Sequence, residues 1–223
     1  MSFLLISAAL FFASNPSPLD QARDRQDPAA LGRLLEAAAA SAEKAPSDAQ
    51  AQYQAALAAS YLAAVQVELH ASKPVRTAAA ERGIVFGERA VSLQPGIGEY
   101  YRVLGTLYGQ AVTDIVSGLR YGPKAKEAIA RAVEKSPHSS NVYVARGVGN
   151  LYLPSQIGGG AEAAIPDFRK AIEIDPQNAE AWVYLGVALR MGKKEDDARK
   201  AFNKALELNP NRFWVRQLLV KRP

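Results

Sequence analysis

The chain has 223 residues, 48% of them hydrophobic and 22% charged, with a net charge of +5 and no cysteine. That balance suits a folded globular chain and is too apolar for a disordered one. The missing thiols exclude disulfides, thiolate metal sites and a cysteine nucleophile.

The charge is uneven. Residues 1–110 hold 9 Lys and Arg against 10 Asp and Glu, whereas residues 111–223 hold 18 against 12. The basic half could meet an acidic partner or a membrane surface. The cations alternate with acids, and no basic cluster carries interleaved aromatics, so they read as solvated helix faces and nucleic acid is not an expected partner.

The N-terminal stretch Phe3–Phe12, FLLISAALFF, is apolar, and no charge precedes Asp20. At 1.5 Å per residue it is too short to span a bilayer, so no integral membrane span is expected. It fits the apolar core of a secretory signal, which places residues 1–17 outside the fold and the protein in the periplasm or outside the cell. No Lys or Arg precedes it and no clean cleavage site follows, and the alternative is an N-terminal helix that packs on the body of a cytoplasmic protein. Asn15–Pro18, NPSP, reads as a spacer, and residues 18–46 as a linker with one alanine-rich helix over Pro28–Glu43.

From residue 47 onward the prolines set the organisation. Pro95, Pro137, Pro176 and Pro210 each close a helical stretch, in ERAVSLQP, ARAVEKSP, RKAIEIDP and NKALELNP. Self-similarity at such a period marks stacked helical units. Four units follow, at about 47–97, 98–139, 140–178 and 179–212, with Phe213–Leu219 as a short capping helix. In the last unit Trp182, Leu185, Gly186 and Leu189 share one helix face, and Ala198, Phe202 and Ala205 share another. Pro210 cannot continue that helix.

Residues 179–212 resemble a full tetratricopeptide repeat, with Trp182, Gly186, Ala198, Phe202 and Pro210 at signature positions. The unit before it keeps Tyr143, Gly147, Ala164, Phe168 and Ala171 but gains five residues in LPSQIGGG. The unit from Gly98 keeps Tyr101, Leu104, Gly105, Tyr108, Ala125, Ile129 and Ala132 and gains eight, which a first helix running from Tyr100 to about Leu119 would absorb. The first unit, Gln50–Ala64 with Ala79–Leu93 around ELHASKPVRT, is the faintest match. The implied fold is all-α: an antiparallel helix-pair solenoid of about four pairs with inserted inter-helix segments.

No residue set points to catalysis, a cofactor or a metal. His70 and His138 lack partners at ligand spacing. Gly158–Gly160 precede a helix, but no G-K-[ST] follows, so they serve to reverse the loop. Glu162 and Asp167 read as solvated helix charges.

The resemblance implies a protein or peptide partner lying in a concave groove lined by the first helix of each pair. Its positions here are Glu99, Arg102 and Thr106, then Asn141, Val144, Val148 and Leu151, then Glu180, Val183, Val187 and Arg190. Val144, Val148, Val183 and Val187 would form an exposed apolar strip unless the inserted loop or a neighbouring helix covers it. Some family members clamp a C-terminal carboxylate. Of the matching positions here, Arg102, Thr106, Ala145, Glu180 and Tyr184, only Arg102 would suit one, and Glu180 would repel it. A looser resemblance, to the helical-repeat component of tripartite periplasmic transporters, implies a carrier of an apolar small molecule instead. The sequence leaves oligomeric state open.

Overall fold

The computed structural model describes residues 16–220. The apolar run 3–12 of the expected signal segment lies outside the described residues. Among those described there are eleven α-helices and no strand: α1 (Pro18–Asp24), α2 (Pro28–Lys44), α3 (Ala49–Glu68), α4 (Lys73–Leu93), α5 (Gly98–Gln110), α6 (Ile115–Lys135), α7 (Ser140–Tyr152), α8 (Ala161–Ile174), α9 (Ala179–Met191), α10 (Glu195–Leu208) and α11 (Phe213–Val220).

The chain is an all-α solenoid. α3 pairs with α4, α5 with α6, α7 with α8 and α9 with α10, while α2 packs on α3 and α11 on α10. The first helices also touch in succession, α3 to α5, α5 to α7 and α7 to α9. They therefore line one side of the array, and the second helices line the other.

The pair geometry follows from a small residue facing an aromatic one. A Cβ placed on Gly186 would fall 2.5 Å from the Phe202 ring, and one on Gly147 would fall 2.5 Å from Phe168. Both rings are fully buried, as are Ala164 and Ala198. Gly105 meets Ile129 in the same way, at 2.8 Å. The signature residues thus act where two helix axes cross closely.

The sequence expectation fails at the N-terminus. Residues 18–24 form a helix rather than a linker, and Ser17 caps it by accepting from the Asp20 amide at 3.1 Å. Pro18 occupies the first helical position, where its missing N–H costs nothing. The NPSP stretch therefore ends in a helix start.

The second correction concerns the longest unit. α5 stops at Gln110, and the extra length belongs to α6. Asp114 and Ser117 form a capping box that starts the new helix, each side chain satisfying the other's backbone amide. α7 and α9 have 13 residues and α8 and α10 have 14, whereas α3 has 20 and α4 and α6 have 21. The excess is about two turns, or roughly 10 Å. Each second helix ends two residues before a closing proline, at Leu93, Lys135, Ile174 and Leu208. The added turns of α4 and α6 therefore project at their N-terminal ends, on the edge where the two helices of a pair are joined.

The insertion LPSQIGGG forms a 3₁₀ turn at Ser155–Ile157 followed by a reversal. Gly158 and Gly160 have φ of 89° and 99°, a backbone region glycine enters without strain.

Candidate functional site: the concave face

The expected groove residues fall on the first-helix side, but most are already engaged. Arg102 donates to Glu99 at 2.7 and 2.6 Å, and Glu99 also accepts from the Tyr53 hydroxyl at 3.0 Å. The Tyr53 ring stacks on Tyr100 with centroids 4.9 Å apart. The Thr106 hydroxyl bonds back to the Arg102 carbonyl at 2.9 Å. Asn141 is exposed and accepts from Asn178 at 2.8 Å. Arg190 donates to both Glu195 oxygens, at 2.9 and 2.7 Å, and to the Leu218 carbonyl at 2.6 Å, with its guanidinium 4.8 Å from the centroid of Phe202. It ties α9 to α10 and α11.

The expected apolar strip is not exposed. Val183 is 0% exposed and Val144 is buried, while Val148 and Val187 are half-buried. Val144 packs with Ala171 and Ala181, beside Ile172 and Tyr184 of the next pair. Val183 belongs to a core that includes Leu151 and Val215, with Val187, Trp214 and Leu218 packed against it. Neighbouring helices cover the strip, because valines one position along from the pair-interface residues turn toward the next unit.

The centre of this side is a buried polar cluster that no local pattern announces. Arg212, in the turn between α10 and α11, is only 2% exposed. It donates to both oxygens of Glu68, at 3.1 and 2.5 Å, and to Glu180 at 2.8 Å, and it lies 3.9 Å from Asp24. Gln26 donates to Glu68 at 2.9 Å, and Asn209 donates to Asp24 at 2.7 Å. Arg23 is bonded to Asp24 at 2.9 and 2.8 Å, lies 3.9 Å from Glu180 and stands 5.0 Å over the Tyr61 ring. Tyr61 donates to Asp20 at 3.1 Å.

These contacts join residues 144 and 185 apart in sequence. α1 and the end of α3 reach across the concave side to α9 and the α10–α11 turn. The array closes on itself, and α1 is the occupant of its concavity. Beside this junction a cleft of about 410 Å³ remains, lined by Pro16, Gln21, Arg25, Asn211, Phe213 and Arg216.

The electrostatics fix the charge states. Burial opposes the charge on Arg212, but Glu180 and Glu68 outweigh it and hold the guanidinium protonated beyond its ordinary range. Burial pushes the Glu180 carboxyl up, yet the Arg212 and Arg23 cations carry it below its ordinary value. At Glu68 burial wins over Arg212, and the carboxyl is pushed up. Burial, with Glu180 nearby, raises the Tyr184 hydroxyl well above its usual range.

One further expectation is corrected. Asp167 is buried rather than solvated, bonded to Arg146 at 2.8 and 2.5 Å and to Asn150 at 2.8 Å, and it links α8 to α7. Among the described residues no group of three His, Cys, Asp or Glu could hold a metal, and no helix is long and apolar enough to cross a membrane.

Comparison with known proteins agrees with this architecture. Residues 158–212 match the family described as tetratricopeptide repeat. A stretch of 106 residues, 48% of the chain, is 32% identical to the Superkiller protein 3 of Saccharomyces cerevisiae and spans 7% of that protein. Among solved structures, a thermophilic TPR protein of Thermus thermophilus superposes with a TM-score of 0.63 at 20% identity, over 89% of this chain and 96% of the other. The HusA haemophore of Porphyromonas gingivalis superposes with a TM-score of 0.53 at 19% identity, over 85% and 92%. At such identities the superpositions speak for the fold alone. By its repeat signature and its family match, the segment 158–212 is a tetratricopeptide repeat, and the same helix-pair architecture runs through the rest of the described chain.

Proposed function

We propose that this chain is an exported, non-enzymatic scaffold that binds a peptide or protein partner on its concave face. The observation that carries the reading is that this face already holds a short helix. Tyr61, Glu180, Arg212 and Asn209, drawn from both ends of the array, grip Asp20, Arg23 and Asp24 of α1. A wall that seats one helical segment by converging polar side chains suits recognition of another. Further along the same first-helix side, Asn141 and Tyr152 of α7 are exposed and Gln110 and Thr106 of α5 are half-buried, so the wall extends beyond α1.

Site-specific photo-crosslinking tests this reading. A benzophenone amino acid at Asn141 or Tyr152 is expected to trap a discrete partner in cells, whereas the same group at Arg131, on the exposed side of α6, is expected to trap none. Equal adducts from both sides would count against a concave partner site. Export rests on the apolar run Phe3–Phe12. The intact mass of protein recovered from cells tests it, since export by a cleaved signal predicts loss of about the first seventeen residues.

A further inference from the structure

The lengthened helices carry a surface that concave binding does not use. Ile115, Val116 and Leu119, in the first turns of α6, are 82%, 77% and 76% exposed. Their spacing puts them on one side of the helix. α8 is seven residues shorter than α6, so the next unit ends before it could cover them. Val112, Val75 and Leu69 are exposed on the same edge, in the adjoining turns. The turns before α4 and before α6 lie on the same edge of the array, because α3 packs beside α5 and α4 against α5. The charges around the tip are Lys73, Arg76 and Arg120 against Asp114, which is committed to its capping box, and Glu81, which accepts from Tyr121 at 2.9 Å one turn further in.

We propose that this tip docks on the surface of an anionic lipid bilayer, with Ile115, Val116 and Leu119 entering the acyl boundary and Lys73, Arg76 and Arg120 meeting lipid phosphates. The charge balance is complementary to such a surface. The tip is a projection of aliphatic side chains with cations at its base, the arrangement by which a protein lies on a bilayer without spanning it. Its three most exposed residues present on the order of 400 Å² of apolar area, enough to mark a contact surface. That is about half of what each partner of a stable protein dimer buries, so a second copy of the chain fits less well.

Vesicle co-sedimentation of the full chain tests the proposal, using phosphatidylcholine alone and phosphatidylcholine with about one third phosphatidylglycerol. The wild type is expected to favour the anionic vesicles and to bind them less well in high salt. The double variant Ile115→Glu/Leu119→Glu is expected to bind about tenfold more weakly or worse, with an unchanged helical circular dichroism spectrum. Val85→Glu, at an exposed position in the middle of α4, is expected to leave partition unchanged. A wild type that ignores anionic vesicles would overturn the proposal, as would a double variant that binds as the wild type does. Self-association abolished by the double variant, with no vesicle binding by either protein, would reassign the tip to a second copy of the chain and overturn it equally.

Discussion

Replacing Arg212 with leucine is expected to destabilise the fold by about 3–5 kcal/mol, measured by urea unfolding at neutral pH. The reason is the charge left behind. Glu68 and Glu180 both accept from this guanidinium; among the described residues Glu68 has no other cation paired with it, and Glu180 keeps only the longer ion pair to Arg23 at 3.9 Å. Arg212→Lys should recover only part of the loss, because an ammonium cannot reach two carboxylates with the planar fork that arginine offers.

The pH dependence separates this cause from simple loss of packing. In the wild type Glu180 titrates below its ordinary value, so it contributes stability that is present above its unfolded pKa and is lost as pH falls through the folded one. Glu68 titrates above its ordinary value, so the cost of its charge is borne at neutral pH and relieved as pH falls through the folded pKa. Without Arg212 both carboxyls carry that cost. The stability gap between Arg212→Leu and the wild type is therefore expected to narrow on acidification toward about pH 4–5, where carboxylates take up protons. A gap that stays constant over that range would mean that packing, not charge, is what Arg212 supplies.

The second large effect lies in the last helix pair. Phe202→Ala is expected to cost about 3–5 kcal/mol, because the ring is fully buried against the bare Cα of Gly186 and under the Arg190 guanidinium. Gly186→Ala alone should cost about 1–3 kcal/mol, since its Cβ would sit 2.5 Å from the ring edge and force the two helices apart. In the Phe202→Ala background the same glycine substitution should become neutral or stabilising by up to about 1 kcal/mol, as the obstruction is gone and alanine is the better helix former. The two substitutions are thus expected to be strongly non-additive. Additive costs would show that Gly186 is not there to admit the ring.

How much of this can be read from sequence depends on distance along the chain. The pair geometry is legible because Gly186 and Phe202, or Gly147 and Phe168, belong to one repeat whose spacing recurs. The boundary between α5 and α6 is hidden because Val112–Leu119 continues an apolar pattern, although Asp114 and Ser117 carry the capping signal that sets it. α1 escapes a reading in which Pro18 is a break, when a serine before that proline makes it a helix start. The buried cluster has no local signal. Arg212 sits in a turn after Pro210, where a surface arginine is the ordinary expectation, and its partners lie at the end of α3, on α9 and on α1. Closure of the array is a consequence of its superhelical curvature, and curvature accumulates over units rather than residing in any one of them. The valine positions suggest an open apolar groove for a separate reason: they pack between successive units, Val144 with Ala181 and Val183 with Val215, contacts that no single repeat displays.

Hydrogen exchange of α1 tests most directly whether the array closes on its own N-terminal helix. A seven-residue helix has no stability of its own in water, so protection there comes from its packing on α2 and α3, where Ala22 is buried, and from the grip of Tyr61, Glu180, Asn209 and Arg212. The closed array predicts that the α1 amides are protected in the wild type and become exposed to exchange in Arg212→Leu, while α9 and α10 stay protected. Amides in α1 that exchange as fast as those of an unstructured peptide in the wild type would contradict it.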